Sequence, residues 1–293
     1  AANAPAFNAL REMVVVHTGL ELGATVYLDY SITSKPGYLP EINVCRQLEQ
    51  SSPVKEYEIS IAVPQGQRLE YALDNLKSKP LVTEKEGMKQ VSWVLKNLPA
   101  LSREPQVSVI GGELPLLTAT TEQKPMAFLS AQWEREADAR LRTLAGKLTA
   151  GAKSDEEKVK ALHSYVIDNL YYSPLPLSET AYRIRPTAEV LRSAYATEAE
   201  KANLLAALLR AAGLKAEIGA VCVPSANTAS LGMGSIRELF VWTEAGGRQQ
   251  ALSLKGKTPS AVSWQKDHAY VAMLTQPFEL NLPSAALNKE YTF

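Results

Sequence analysis

The sequence predicts an α+β protein in which an N-terminal antiparallel β-sandwich precedes a domain of helices followed by strands. Short runs rich in Val, Ile and Tyr, separated by turn residues, occupy roughly the first hundred positions and are typical of a sandwich. From residue 130 onward apolar residues recur at helical spacing, and strand-like runs return after residue 216. Such separate blocks favour α+β over alternating α/β architecture.

Five runs in the first part predict strands, at 13–17, 24–32, 56–63, 69–73 and 90–95. Apolar and polar residues partly alternate in them, as in antiparallel strands that pack on one face. The segment 97–125 holds four prolines and a Gly-Gly pair, which predicts a long connection.

Three helices are predicted in the second part. The first, 130–148, carries an apolar stripe that includes Trp133 and Leu141. The second opens with Ser154 and Glu157, the spacing of a capping box. The third, 197–212, has Thr197 as its N-cap and ends at Gly213, a favourable C-terminal residue.

Strands are then predicted at 216–223, 238–243 and 250–254, with Gly246-Gly247 as a hairpin turn. The small, polar, Gly-rich stretch 226–235 predicts a mobile loop. The change of character near residues 120–128 divides the chain into a sandwich domain, 1–122, and a second domain, 123–293.

Composition excludes several classes of protein. The 293 residues carry 31 basic and 31 acidic side chains, so no bulk charge attracts nucleic acid or an anionic membrane. No apolar run approaches the roughly 18 residues of a membrane span. The chain begins Ala-Ala-Asn-Ala-Pro without an initiator Met, and we expect it to be a processed or truncated piece of a longer product.

The two cysteines, Cys45 and Cys222, lie in different predicted domains. The preferred interpretation is a pair of buried free thiols, with a disulfide as the alternative. No CxxC, HExxH or His/Cys cluster occurs, so no metal and no cofactor are predicted.

Motifs in the second part are the most informative. RPTAEVL at 185–191, AYATEAEKA at 194–202 and LLAALLRAAG at 204–213 follow one another. Together they resemble the transglutaminase-like family, a papain-related α+β fold in which a Cys nucleophile begins a buried helix. A His and an Asp on two adjacent strands complete the family's site.

The first part resembles a β-sandwich domain of unassigned function that precedes such domains in bacterial proteins. Three stretches carry this resemblance: HTGLELGATVYLDY at 17–30, SSPVKEYEISIAVPQG at 51–66 and VSWVLKNLPALSREP at 91–105. In that arrangement further strands come before residue 1, which again implies a truncated domain.

The sequence departs from the family at each catalytic position. Glu198 stands where the family has its Cys, Glu238 where it has its His, and Ser253 where it has its Asp. The chemistry needs a thiolate, an imidazole and an orienting carboxylate. Three replacements argue against the ancestral reaction.

Other interpretations of these residues stay open. Glu198 and Glu238 could share a proton as an acid/base pair or bind a hard cation. The preferred interpretation is that Glu198 is a first-turn helix residue favoured by the helix dipole, with Glu238 paired to Arg237 or to another cation. Tyr182, Tyr195 and the pair Tyr171-Tyr172 could stack on a ligand or pack in the core.

The remaining nucleophile and base candidates receive structural interpretations. Cys222, in an apolar strand, is expected to be a buried thiol rather than a relocated nucleophile. His163 and His268 are expected to be satisfied or solvated rather than catalytic bases.

The sequence therefore predicts a catalytically inactive transglutaminase-like protein that binds or scaffolds a peptide, protein or glycan. Its candidate binding residues are Glu198, Glu238, Ser253, Tyr195 and Tyr182. The alternatives are a hydrolase with a Glu198/Glu238 acid/base site, and a purely structural module whose partner is the missing part of the same polypeptide. An extracytoplasmic location, periplasmic or cell-surface, is implied by the resemblance.

Overall fold

The computed structural model describes residue 6 and residues 14–35, 38–39, 41–101, 114–124, 126–255 and 270–273, the last range by its backbone. The first part is a β-sandwich, as predicted. Its strands are β1 Asn43–Gln47, β2 Val54–Pro64, β3 Glu70–Asp74, β4 Leu81–Lys85, β5 Met88–Leu98 and β6 Leu116–Thr120. They form two antiparallel sheets, in the orders β1-β6-β3 and β2-β5-β4.

The sandwich core lies between these sheets. Strands β2 and β5 turn alternate residues inward, among them Val63, Val91 and Trp93, and β6 contributes Leu117 and Ala119 from the opposite sheet. The ring of Tyr71 meets Trp93 edge to face, with centroids 5.6 Å apart. Burial of alternate apolar residues from both sheets is the main stabilising contribution here.

Two predictions in this part are wrong. Residues 14–35, which cover most of the predicted strands 13–17 and 24–32, contain no strand; residue 13 lies outside the described residues. Their apolar side chains, such as Val16 and Tyr27, stay exposed. A β-favouring pattern becomes a strand only when another strand pairs with it, and no described strand pairs with this segment.

The second wrong prediction is the connection at 97–125. Strand β6 lies inside it and is the central strand of its sheet. All but the first residue of β6 are buried, because the strand is covered by the sandwich core on one side and by the second part on the other. A strand buried on both faces shows no alternation.

The second part contains five helices and six strands within the described residues. The helices are α1 Ala127–Ser130, α2 Ala139–Thr149, α3 Asp155–Asp168, α4 Thr187–Ser193 and α5 Glu198–Ala211. The strands are β7 Tyr171–Tyr172, β8 Tyr195–Ala196, β9 Ala216–Cys222, β10 Ile236–Ala245, β11 Arg248–Ser253 and β12 Tyr270–Met273. An antiparallel sheet has the order β11-β10-β9-β12.

Helix α5 is the centre of this part, since almost all its side chains are buried and it packs on α2, α3, β9 and β10.

The predicted cap of α3 is confirmed: Ser154 Oγ accepts from Glu157 N at 3.3 Å. The predicted helix 130–148 is wrong as one element. Asp138 caps α2 by accepting from Leu141 N at 2.7 Å, so the helix starts there.

The hairpin between β10 and β11 is confirmed, with φ values of +56° at Gly246 and +74° at Gly247. These left-handed conformations are the ones that a type I′ turn requires of both central residues.

The predicted mobile loop, 226–235, is instead packed against the sandwich. Ser230 Oγ lies 2.6 Å from Thr118 Oγ1, and Asn227 Nδ2 donates to the carbonyl of Tyr71 at 3.2 Å. A Cβ on Gly232 would lie 1.9 Å from Asn43 Oδ1. The small residues therefore permit close approach of the two parts rather than mobility.

The predicted division between residues 122 and 123 falls after β6 and before α1. It stays a prediction, because the two parts share this packed junction. Among the described residues no helix is long and apolar enough to cross a membrane.

Candidate functional site

The candidate site is built at the N-terminus of α5. Thr197 and Glu200 form a capping box, in which Thr197 Oγ1 accepts from Glu200 N at 3.4 Å and Glu200 Oε2 accepts from Thr197 N at 2.9 Å. The predicted N-cap is therefore confirmed. The box places Glu198 as the first helical residue, where the helix dipole favours a negative charge.

A buried ion pair holds this corner of the fold. Arg185 donates from Nε to Glu200 Oε1 at 2.6 Å and from Nη2 to Glu200 Oε2 at 2.9 Å. Its Nη2 also donates to the carbonyl of Tyr195 at 2.9 Å. The side chain of Glu200 is fully buried and that of Arg185 is 11% exposed. The pair fixes β8 relative to α5, and so positions Glu198.

Glu198 reaches from the helix to strand β10. Its Oε1 accepts from the backbone N–H of Leu239 at 2.9 Å, and its Oε2 lies 3.5 Å from Lys255 Nζ. Burial raises the pKa of Glu198, against the lowering effects of the Leu239 N–H and Lys255, and the charge of Glu238 raises it further. Both carboxylate oxygens of Glu198 are thus already engaged.

Glu238 and Ser253 lie on the adjacent strands β10 and β11. Glu238 is half-buried beside an irregularity in the ladder between β9 and β10. Ser253 pairs with Phe240, and its carbonyl accepts a hydrogen bond from His163 Nε2 at 2.7 Å. The structure therefore brings α5, β10 and β11 together at the three positions that the family resemblance assigns to a catalytic triad.

Arg237, predicted as the partner of Glu238, has a different neighbour. It donates from Nη2 to Cys45 Sγ at 3.2 Å. Among the described residues, no cation lies within ion-pair distance of Glu238.

The two tyrosines predicted to line the site lie apart from these carboxylates. The ring of Tyr195 stacks under Arg185, whose Cζ lies 4.2 Å from the ring centroid, and its hydroxyl accepts from Ala6 N at 2.9 Å. Tyr182 is buried near the sandwich, where burial raises its pKa and the charges of Tyr38, Cys45 and Glu122 add to this effect. These contacts support the core interpretation for Tyr182 and a positional role for Tyr195.

Tyr171 and Tyr172, in contrast to Tyr182 and Tyr195, have exposed side chains. They are 58% and 38% exposed, so the core interpretation of this pair is wrong. Lys201, buried one turn into α5, places its Nζ 5.6 Å from the Tyr172 ring centroid, and burial lowers the pKa of Lys201. The sequence pattern alone did not connect these two residues.

Neither cysteine is at the site, and both are free thiols. Cys222 is buried in β9, and burial raises its pKa to about 11. Cys45 is half-buried on β1 beside Arg237, rather than fully buried as predicted. The interpretation of Cys222 as a structural thiol agrees with this placement, since a nucleophile needs an accessible thiolate.

His163 is fully buried. Burial lowers its pKa, although the Ser253 carbonyl opposes this change. One ring nitrogen is satisfied by Ser253, and Nδ1 has no partner among the described residues. His268 lies outside the described residues. In the described ranges no three His, Cys, Asp or Glu side chains are grouped as a metal site.

Two family models match the chain. Residues 1–102 match a domain of unknown function, DUF3857, and residues 142–275 match the transglutaminase-like superfamily. These matches confirm the resemblances found in the two parts of the sequence. None of the curated proteins gives a significant match.

One solved structure is similar over most of the chain. It is a "putative protease" from Parabacteroides distasonis, with 38% identity and a TM-score of 0.86, matching 94% of this chain and 54% of its own. The chain thus spans about half the length of that relative.

Two other solved structures match more distantly. One is a "putative cysteine protease" from Cytophaga hutchinsonii, at 12% identity and a TM-score of 0.36 over 82% of this chain and 86% of its own. The other is the periplasmic domain of TgpA from Pseudomonas aeruginosa, at 13% identity and a TM-score of 0.30 over 71% of each chain.

Proposed function

We propose that this chain, which carries a transglutaminase-like domain behind a DUF3857 domain, lacks the thiol chemistry of that fold and acts as a binding or scaffolding module. The observation that carries the proposal is Glu198 at the first position of α5. A carboxylate is a far weaker nucleophile toward an amide than a thiolate. Here it is also held by Leu239 and Lys255, so it is not poised to attack.

The neighbouring positions support the same proposal. Glu238 cannot serve as an imidazole base, and the side chain of Ser253 supplies no carboxylate to orient one. Cys222 is buried with a raised pKa, and Cys45 belongs to β1. Within the described residues no thiol could replace the missing nucleophile at this site.

The ligand class follows from what surrounds the site. Exposed tyrosines and carboxylates suit a peptide, a protein segment or a glycan. An extracytoplasmic location, periplasmic or cell-surface, is part of this proposal and rests on the family resemblance. A structural role toward further parts of a longer polypeptide also rests on the family resemblance. It is consistent with the greater length of the Parabacteroides relative.

Activity assays test the loss of chemistry. The purified chain is incubated with casein for hydrolysis, and with casein plus a fluorescent primary amine for transamidation. We expect no turnover above that of Glu198→Ala. The control variant is Glu179→Ala, which changes an exposed side chain in a neighbouring turn. The proposal would be overturned by turnover that disappears in Glu198→Ala but persists in this control.

A gain-of-function variant is the positive control. The triple change Glu198→Cys, Glu238→His and Ser253→Asp places all three family residues on the existing scaffold. Thiol-dependent turnover by this variant, absent from the parent chain, would support the interpretation of these positions as a vacated triad.

A binding experiment tests the second half of the proposal. Envelope proteins and glycans are captured on the purified chain, on Glu198→Ala and on Glu179→Ala. We expect retained partners that are reduced only by Glu198→Ala. Identical retention by all three chains would contradict binding at this site and favour a purely structural module.

An acid/base hydrolase is the second candidate, and the raised pKa of Glu198 favours it. Against it stands the use of both Glu198 oxygens in fixed contacts. NMR titration of both carboxylates distinguishes the two: a widely split pair supports hydrolysis, and independent titrations support the binding module.

A further inference from the structure

The segment 14–35 is an arm that precedes β1 and is uncovered along its whole length. Every one of its residues is exposed, although the segment is rich in Val, Leu and Tyr. A hydrogen bond from Ala24 N to the Glu21 carbonyl at 3.1 Å closes a turn in its middle. Soluble proteins rarely leave so extended an apolar surface open unless it meets a partner.

Residues 24–32 of this arm have the pattern of a strand with one apolar face. Alternate side chains of an extended backbone share a face. The apolar row consists of Val26, Leu28, Tyr30 and Ile32. All of these side chains are exposed, that of Leu28 by 72%. This stretch is therefore suited to lie beside another strand and to cover apolar side chains there.

Strand β4 offers an open edge of the sandwich. It is the outermost strand of the sheet β2-β5-β4, and none of the described strands pairs with its far side. Val82 of β4 pairs with Val91 of β5, so both side chains point toward the sandwich core. Val91 is fully buried, whereas Val82 is 44% exposed. The core is thus uncovered beyond β4, and one further strand would close it.

We propose that two copies of this chain exchange their arms, so that residues 24–32 of each copy add a strand to the β4 edge of the other copy. The apolar row then extends the core side of the sheet beside Val82. Asp29 and its polar neighbours extend the outer side, where Thr83 and Lys85 of β4 lie. The backbone N–H and C=O groups along the far side of β4 gain partners, as in strand addition. This inference is independent of the binding function proposed above.

A second copy is the occupant that the observations favour. Each copy carries both an uncovered arm and an open edge, and its own arm does not cover its own β4. Two copies related by a twofold axis cover both surfaces at once, and the exchange ends after two chains. With 31 basic and 31 acidic side chains, no net charge keeps the copies apart.

Light scattering during size-exclusion chromatography tests the oligomeric state of the whole chain. We expect a dimer that dissociates on dilution. Leu28→Glu places a carboxylate in the covered apolar row and should weaken association at least about tenfold. The matched control, Ser31→Glu, adds the same charge to the opposite face and should leave the dimer intact. Both positions are exposed within one copy, so neither change should disturb folding.

A second matched pair tests the acceptor edge. Val82→Glu should also weaken association, because its side chain is covered in the dimer, and Thr83→Glu should not. Mixing Leu28→Glu chains with Val82→Glu chains should restore dimers. In such a mixed dimer the unaltered arm of one copy meets the unaltered β4 of the other, whereas neither variant alone can form this contact. Two chains that had simply failed to fold would not restore each other in this way.

Hydrogen exchange adds a readout that depends on strand pairing rather than on mass. The amides of residues 24–32 should be protected in the parent chain and in Thr83→Glu, and unprotected in Val82→Glu. A monomer at every protein concentration would overturn the inference. So would a dimer that Val82→Glu does not weaken, which would indicate pairing of arm with arm.

A synthetic peptide of residues 23–33 separates exchange between copies from other uses of the edge. Added in excess, it should compete with the arm and convert the dimer to a monomer. If the chain is a monomer and still binds the peptide at β4, the edge belongs to a strand from elsewhere in a longer polypeptide. That result would also overturn the exchange between copies.

Discussion

His163 donates a hydrogen bond from Nε2 to the backbone carbonyl of Ser253 at 2.7 Å, and so joins α3 to the end of β11. The imidazole is fully buried. A neutral ring can make this contact with Nε2 protonated and Nδ1 bare, whereas a charged ring would place a second donor in a buried space. The contact therefore depends on the neutral form of His163.

The stability of the protein should fall as the pH drops below about 6.5. The unfolded state then takes up a proton at His163, while the folded state, whose pKa for this group is lowered, does not. The loss reaches at most about 1.4 kcal/mol for each pH unit and stops at the folded pKa. Urea unfolding from pH 8 to pH 5 measures it.

The matched variants are His163→Gln, which keeps a neutral donor, and His17→Gln, which changes an exposed ring. We expect His163→Gln to flatten the profile below pH 6.5 and His17→Gln to leave it in place. An unchanged slope in His163→Gln would contradict the assignment.

Glu198 should produce the opposite pH dependence. Its pKa is raised in the folded state, so the folded protein holds a proton that the unfolded chain releases, and stability falls as the pH rises above about 4.5 through the folded pKa. Glu198→Gln removes this effect. Relative to the parent chain, the variant should gain stability between pH 4.5 and pH 8, as measured by urea unfolding.

The control here is Glu179→Gln, which alters an exposed carboxylate and should follow the parent profile. If the parent chain instead gained stability over Glu198→Gln as the pH rose, the Lys255 contact would outweigh burial and the prediction would be wrong.

Breaking the Arg185–Glu200 pair should be strongly destabilising. Arg185→Met leaves a buried carboxylate with its charge uncompensated, at a cost of about 3–5 kcal/mol in the free energy of unfolding. Lys215→Met, which breaks the exposed contact between Lys215 and Glu244 at 3.4 Å, should cost less than about 1 kcal/mol. Similar denaturation midpoints for the two variants would contradict a structural role for the pair.

Cys222 should be almost unreactive in the folded protein. With a pKa of about 11, about one thiol in a thousand is ionised at pH 8, and burial blocks access to it. In Cys45→Ser, where Cys222 is the remaining thiol, Ellman's reagent should react at least about a hundredfold more slowly than in guanidinium chloride. Rapid labelling of the folded variant would show an accessible thiol and reopen the question of a relocated nucleophile.

Sequence patterns predicted best the features that depend on near neighbours. The Thr197 cap, the Ser154 cap and the glycine turn at Gly246 each follow from residues within a few positions of one another. The buried helix α5 was predicted for the same reason, because its apolar run and its cap lie within a single stretch of chain.

Features that depend on distant partners were missed. Strand β6 is buried by contacts on both faces, and the pattern at 24–32 does not form a strand because no strand in the described part of the chain pairs with it. Tyr182 was assigned to the site although its neighbours, Cys45 and Glu122, come from far earlier in the chain. The contact of Glu198 with Leu239 likewise joins residues that no local pattern connects.

The packing of Ser230 and Asn227 on the sandwich has a mechanical consequence. The buried Ser230 hydroxyl and the partly buried Asn227 amide have their partners on the opposite side of this seam, so separating the two halves breaks both hydrogen bonds. We therefore expect one cooperative melting transition rather than two. A ligand bound beside α5 would raise the melting temperature of the whole chain. The unfolding of the distant sandwich would then show whether the site beside α5 is occupied.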